Sequence, residues 1–261
     1  MTERLAHCLG DIYVISREFP PIGGMGWSYR GHAHIDWPLI SKAGRPEFFD
    51  PHWDRKTTDR GLDRPFKDLG RFHAWRERAI AFCSDLPEND FECLAYAQHH
   101  GLATRLLDWT HNPLVALYFA VREHPDSDGA VYAYFKDVVV RPEIMPLDQL
   151  DEVAVFFPRP VHQRILVQRA FFTVHPHPEI PLTPDILPDS MRRFTDTQEN
   201  LVRIRIPSEV KPIIQRELDD FGINHVVLFP GVDGLSEFIN WGTRRSVTTS
   251  KRRAGVAKKT E

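Results

Sequence analysis

Cysteine is scarce: Cys8, Cys83 and Cys93 are the only three in 261 residues, and no two form a C-x-x-C pair. An odd, scattered set of thiols excludes a disulfide framework and a thiolate zinc site, and it suits a reducing compartment. No apolar run approaches the ~18 to 20 residues needed to span a bilayer. The first thirty residues also lack a basic start followed by an apolar core. A cytoplasmic protein with no membrane partner is expected. Equally missing are a G-x-G-x-x-G or other glycine-rich phosphate loop, a serine flanked by the glycines of a nucleophile elbow, and any internal repeat. These absences remove the usual dinucleotide fold, the serine-hydrolase elbow and the solenoid.

What remains is an ordinary globular composition, 42% apolar and 26% charged, enough to bury a sizeable core. The net charge of -3 hides an asymmetry. Residues 244–261 carry seven Lys or Arg against the single acid Glu261, so this end is +6 and the remainder -9. The expected organisation is one folded domain over residues 10–243 and a basic, disordered tail over 244–261. Such a tail can bind polyanions, with little sequence preference and strong salt dependence.

Along the chain, Ile12-Tyr13-Val14-Ile15 suggests a short strand, and Trp27-Ser28-Tyr29-Arg30-Gly31 a second that delivers Arg30 at its end. Residues 46–65 are polar and irregular. Phe72, Trp75, Ala79 and Phe82 recur at helical spacing on one apolar face. A second helix is expected over residues 91–99, with Gly101 as its left-handed cap. A third starts at Asn112 and Pro113 and is apolar almost all round, so it belongs in the core. Extended segments follow at 130–135, 153–157, 165–174, 201–206 and 226–229, with an amphipathic helix over 208–222. The fold class is therefore α+β, with helices mainly N-terminal and an antiparallel or mixed sheet mainly C-terminal.

The densest polar segment is residues 98–110, Gln98-His99-His100-Gly101-Leu102-Ala103-Thr104-Arg105-Leu106-Leu107-Asp108-Trp109-Thr110. Two arrangements satisfy its hydrogen-bonding groups. In one, a buried network pairs Arg105 with Asp108, packs Trp109 and uses Thr110 as a cap. In the other, part of the set faces a cavity, where an arginine fork suits a carboxylate or a phosphate.

Tyr29-Arg30-Gly31, Trp37-Pro38-Leu39, Arg45, the segment just quoted and Pro113-Leu114-Val115-Ala116-Leu117-Tyr118-Phe119-Ala120 resemble the FRG domain family. That family is named for a Phe-Arg-Gly motif, in which Tyr29 here replaces the Phe. Residues 164–173 resemble its later strand, with Ala170 where Gly is expected, and residues 228–235 its closing motif. FRG domains occur in bacterial proteins associated with mobile elements and phage defence. The resemblance thus implies a toxin-like or effector role without fixing a reaction.

An aromatic-Arg-Gly on an early strand also resembles the start of ADP-ribosyltransferases, which implies an ADP-ribosyltransferase-like fold and NAD as the nucleotide. Arg30 would anchor the phosphates, His99 or His100 would contact ribose, and Glu237 or Asp233 would oppose the positive charge that develops as nicotinamide leaves. The expected catalytic set is Arg30, His99 and Glu237. The expected ligand-binding set is Tyr29, Gly31, Gln98, His100, Thr104, Arg105, Asp108, Trp109, Gln168, Thr173 and Asp233. Partners are then a nucleotide-like small molecule and a protein or nucleic-acid target. No E-x-E or Ser-Thr-Ser element occurs at the expected places, so a non-catalytic recognition domain is the alternative. His32, His34 and Asp36 alternate, and on an extended segment would share one face, as a metal-dependent hydrolase would require. No metal is favoured over NAD. Arg30, His99, Arg105 and Asp108 are expected to line or support a single pocket.

Overall fold

The computed structural model describes residues 1–22, 25–49, 67–159, 167–192, 194–195 and 197–257, with side chains as far as Arg244. The strands are β1 (Thr2–Leu5), β2 (Ser28–His32), β3 (Leu106–Thr110), β4 (Gly129–Tyr134), β5 (Ala154–Phe156), β6 (Ala170–Val174) and β7 (Leu201–Ile206). The helices are α1 (Leu9–Ser16), α2 (Asp68–Ala79), α3 (Asp90–His99), α4 (Pro113–Val121), α5 (Asp189–Arg192), α6 (Lys211–Asp220), α7 (His225–Leu228) and α8 (Val232–Ala257). Among the described residues seven strands form one mixed sheet in the order β1-β7-β4-β2-β3-β6-β5, in which β1 and β7 run parallel and the other neighbours antiparallel.

The α+β class holds, but helices and strands are interleaved rather than segregated. Strands β1, β2 and β3 precede residue 125, and α6, α7 and α8 follow residue 200. The expected strand at 12–15 is helix α1. Ile12 and Ile15 are buried three residues apart while Tyr13 and Val14 are exposed, and the Asp11 carboxylate accepts from the His7 and Cys8 amides at the helix start. Residues 226–229 fall largely in α7, whose start is capped by Asn224 accepting from the Val227 amide. Residues 106–110, the end of the dense polar segment and not among the expected strands, are strand β3. Of the expected strand at 165–174, residues 165 and 166 lie outside those described, and the strand proper begins at Ala170. So do residues 50–65 of the irregular stretch. Phe82 lies past the end of α2 and is 90% exposed, so only Phe72, Trp75 and Ala79 of its proposed face pack inward. Helix α8 continues through Thr243 to Ala257, into the basic segment for which disorder is the sequence expectation.

Helix α4 forms where its sequence places it. Asn112 Oδ1 accepts from the Leu114 amide at 3.0 Å, Pro113 opens the first turn, and Val115, Ala116, Leu117, Tyr118, Ala120 and Val121 are buried. Leu114 is half-buried. The helix lies directly on the sheet because its partners lack side chains at the crossing. A Cβ on Gly31 would stand 1.8 Å from the Ala116 oxygen, and one on Gly129 2.3 Å from the Ala120 oxygen.

Pairing of Tyr29 with Thr110 fixes which residues share a face across the middle of the sheet. Helices α1, α4 and α6 cover one half of that face, meeting Tyr29, Val131, Ala133, Val202 and Ile204. Helices α2 and α3 cover the other half, meeting Leu106, Ala154, Phe156, Phe172 and Val174. On the opposite face, Leu107, Trp109, Tyr132, Tyr134 and Phe171 pack under Leu39. The two helical groups adjoin where β2 meets β3, and those strands share one register pair only, Tyr29 with Thr110. The sheet is thus weakest at its centre.

Candidate functional site

Arg30 occupies this seam. It is the middle residue of β2 rather than the strand end that the sequence suggests; the register places its side chain on the face of Tyr132, its partner on β4, and the guanidinium spans the gap towards β3. Nη1 donates to the Asp108 main-chain oxygen at 2.8 Å and lies 3.5 Å from the Asp108 carboxylate. Nε donates to His32 Nε2 at 3.0 Å. His32, two residues on and therefore on the same face, is locked in turn by its Nδ1, 3.2 Å from the Trp37 oxygen. As Nδ1 donates there, Nε2 is left as an acceptor, and burial with the adjacent Arg30 charge pulls the ring's pKa down to about 3. A neutral imidazole therefore aims a cation. Nη2 of Arg30 makes no hydrogen bond among the described residues. Burial lowers the pKa of Arg30, Asp108 opposes that shift, and the nearby positive charge of Arg45 adds to it.

Behind the guanidinium a polar chain runs onto α3. Gln98 Nε2 donates to Asp108 Oδ1 at 3.0 Å, and the Thr104 hydroxyl donates to Gln98 Oε1, which fixes the amide's orientation. Arg105 is turned away from this chain. It donates through Nε to Asp68 Oδ2 at 2.6 Å, with both side chains largely buried, so the expected Arg105–Asp108 pair is corrected to Arg105–Asp68 and Arg30–Asp108. Asp68 opens α2, where a carboxylate is favoured by the helix dipole, and the pair clamps that helix to the start of β3.

Two cavities meet at Arg30. The smaller, about 190 Å³, lies in the seam between Tyr29, Asp108, Thr110, Phe119 and Gln168. The larger, about 810 Å³, runs past the end of β2 between Trp37, Arg45, Glu47, Arg122 and Glu123. Arg30, Gly31 and Phe119 border both. The joint cleft has three arginines on its walls, Arg30, Arg45 and Arg122, and three carboxylates, Asp108, Glu47 and Glu123, so its formal charges balance, and an anion there depends on the guanidinium donors that the carboxylates leave free. Its spacing is set from behind by Lys211 on α6. The buried Lys211 Nζ donates to the oxygens of Ala33 at 2.6 Å, His124 at 2.9 Å and Glu123 at 3.3 Å, tying the segment after β2 to the segment after α4.

The other expected site residues divide into groups. Tyr29 is buried beside the seam, with its hydroxyl pKa pushed up to about 12 by burial, and Gly31 permits the approach of α4. Trp109 borders the smaller cavity from the core. Its ring stacks on Tyr134 at 5.2 Å, and its N–H donates to Thr173 Oγ1 at 2.9 Å. Thr173 is fully buried and bonds onward to His175, so it supports the wall from within. Gln168 borders the seam and donates to the Leu228 oxygen at 2.8 Å. His99 and His100 sit exposed at the end of α3 with edge-to-face rings 5.3 Å apart, and neither borders the two cavities. Asp233 and Glu237 lie on α8. Glu237 pairs with Arg244 and borders a third cavity of about 140 Å³, which shares Arg122 and Glu123 with the larger one but is not lined by Arg30.

The alternating His32, His34 and Asp36 do not form a donor set, because β2 ends at His32, whose two ring nitrogens are engaged by Arg30 and Trp37. Among the described residues no group of three His, Cys, Asp or Glu converges as for a metal ion. Sequence reasoning missed His32 as the group that orients Arg30, and it missed Trp37, Arg45 and Arg122 as cleft walls. Trp37 and Arg45 stood within the quoted motifs, and that was the available signal.

An α+β domain with an arginine-lined, formally neutral cleft at a sheet seam is what the fold and site define. The sequence profile of the FRG domain matches residues 25–129, and the chain carries an FRG domain there. The match takes in β2, α2, α3, β3 and α4 and stops at the start of β4, short of the later segments 164–173 and 228–235 that also resemble the family. No curated protein and no solved structure matches the chain. Among the described residues no helix is long and apolar enough to cross a membrane.

Proposed function

We propose that this FRG domain is a nucleotide-binding effector whose seam cleft takes the diphosphate of NAD, and that it transfers ADP-ribose to a macromolecular target. The observation that supports this reading is Arg30. Two bonds fix its guanidinium at the junction of two cavities, and Nη2 is left over for a ligand. An oriented fork facing a second arginine, Arg45, matches the paired oxygens of a diphosphate. The acid of the reaction is then Asp108. Its carboxylate borders the smaller cavity and is held by Gln98, facing the positive charge that grows on ribose as the bond to nicotinamide breaks. Glu237 and Asp233 are not needed in this arrangement. A toxin-like or phage-defence role is the biological setting of the same reading.

Thermal unfolding with NAD, ADP, ATP and short oligonucleotides tests it. A ligand at a hundred times its Kd stabilises by about 2.7 kcal/mol. NAD is expected to raise the unfolding midpoint, Arg30→Lys to abolish most of that rise, and nicotinamide release to accompany turnover. No midpoint shift with any nucleotide would overturn the proposal. A second reading, recognition without transfer, is favoured by the pairing of two cleft carboxylates, Asp108 with Arg30 and Glu123 with Arg122. Binding of NAD without nicotinamide release would select it.

A further inference from the structure

We infer that the cleft binds a dinucleotide in one direction, with Trp37 as the platform for the purine base and the seam between β2 and β3 as the pocket for the carboxamide-bearing ring. The inference rests on the nucleotide reading above and goes beyond it by assigning the two ends of the ligand.

Size separates the two ends first. The seam cavity, about 190 Å³, is below the range of roughly 300 to 1,000 Å³ in which whole small ligands bind, whereas the adjoining groove of about 810 Å³ lies inside it. Only a fragment such as a single substituted ring fits the seam. Chemistry points the same way. Gln168 borders the seam with its Nε2 committed to the Leu228 oxygen, and its Oε1 accepts no hydrogen bond among the described residues. A side-chain carbonyl in that position is a partner for the N–H of a carboxamide. Val115, Ala116 and Phe119 supply apolar lining for a ring, beside the polar Arg30, Asp108 and Thr110.

The groove has the complementary character. Trp37 borders it with 42% of its surface exposed. Its indole is not loose. His34 stacks against it at 6.0 Å between centroids, and His124 meets it edge-on at 5.0 Å. Its main-chain oxygen also receives the His32 ring that aims Arg30. An indole held in this way on the wall of the groove is a stacking surface for a base, since every base offers a π-face. Arg30 borders both cavities, so a diphosphate on Arg30 places one nucleoside on each side of it.

Calorimetric titration of the full chain with NAD, ADP and nicotinamide mononucleotide provides the test, on the wild type, Trp37→Ala and Trp37→Phe. Trp37→Ala is expected to weaken NAD and ADP by ~10-fold or more and to leave nicotinamide mononucleotide unchanged, while Trp37→Phe retains most of the affinity. Selective loss of nicotinamide mononucleotide binding in Trp37→Ala would reverse the direction and overturn the inference. Wild-type binding of NAD with Trp37→Ala indistinguishable from it would sink the platform but leave the nucleotide reading standing. No binding of any of the three to the wild type would remove both.

Discussion

Arg30 and Asp108 meet across 78 residues, with the guanidinium on the Asp108 main-chain oxygen at 2.8 Å and 3.5 Å from its carboxylate. This contact stands where the β2–β3 ladder would otherwise continue past Tyr29 and Thr110. A side chain thus takes over from the backbone at the point where the sheet opens. The buried arginine of the neighbouring segment, Arg105, has a different task, and the two can be separated by mutation.

Arg105→Ala leaves the Asp68 carboxylate largely buried without its partner, and it is expected to cost about 3 to 5 kcal/mol of stability. Nucleotide affinity of the folded fraction should stay close to wild type. Urea unfolding read together with calorimetry checks both halves. A variant of normal stability that no longer binds would place Arg105 in the cleft instead.

Gly31→Ala drives a methyl into the Ala116 carbonyl, where the available gap is 1.8 Å. Helix α4 must then lift from β2, and the expected loss is about 1 to 3 kcal/mol or more. Leu117→Ala, which only empties space in the same helix, should cost about 2 to 5 kcal/mol. The two differ in the site. Gly31→Ala should also weaken ligand binding, because Gly31 borders both cavities, whereas Leu117→Ala should not. Equal effects on binding would contradict this layout.

Acid sensitivity follows from two buried imidazoles. Burial, with Arg30 next to both and Arg105 next to one, holds His32 down to about 3 and His175 down to about 4. An unfolded histidine titrates near ~6.5. Above that pH both rings are neutral in either state and their contribution is complete. Between pH ~6.5 and ~4 the unfolded chain takes up protons that the fold refuses, so stability falls as pH falls, by up to about 1.4 kcal/mol per pH unit for each ring. The urea midpoint should therefore drop between pH 7 and 5. His175→Gln, which keeps an acceptor near Thr173, should flatten that dependence, and an unchanged slope would remove His175 from the account.

How far the sequence carried the fold depends on where each element's partners lie. Helix α4 was legible because its signals are local: Asn112 as cap, Pro113 in the first turn and an unbroken apolar run. Gly101 was legible too as a left-handed cap, and it adopts a positive φ of 93°. Strand β3 was not. It is flanked by helices and carries Asp108 at its middle, and its neighbours come from Tyr29 and from β6, so its extended form is decided by tertiary pairing. Helix α1 was misjudged because β-branched and aromatic residues outweighed a three-residue spacing in an eight-residue element. At the site, Arg30 and Asp108 could be named in advance. Their mutual contact, the orienting role of His32 and the displacement of Arg105 onto Asp68 required the strand register and the position of α2.

Truncation after Thr243 should move the unfolding midpoint little. It removes the Arg244–Glu237 pair, which is exposed on both sides, and pairs of that kind contribute at most about 1 kcal/mol. Any affinity for heparin or DNA should disappear with the basic segment, and it should fall steeply with salt in the intact chain. Calorimetric scanning and a salt series check the two statements. A large loss of midpoint would mean that the end of α8 is part of the folded core.

The three oxygens gathered round Lys211 Nζ resemble the ligand sphere of a cation, except that this cation is delivered by the chain itself, 178 residues after Ala33. A ribosome that has produced only the segment matched by the family profile has already made Arg30, His32, Trp37 and Asp108, yet it has made neither Lys211 nor the strands β6 and β7. The cleft is consequently a late product of synthesis. Expressed alone, residues 25–129 would supply the wall residues without the tether that spaces them, so a nascent chain of this design stays without its pocket until the C-terminal half has emerged and docked.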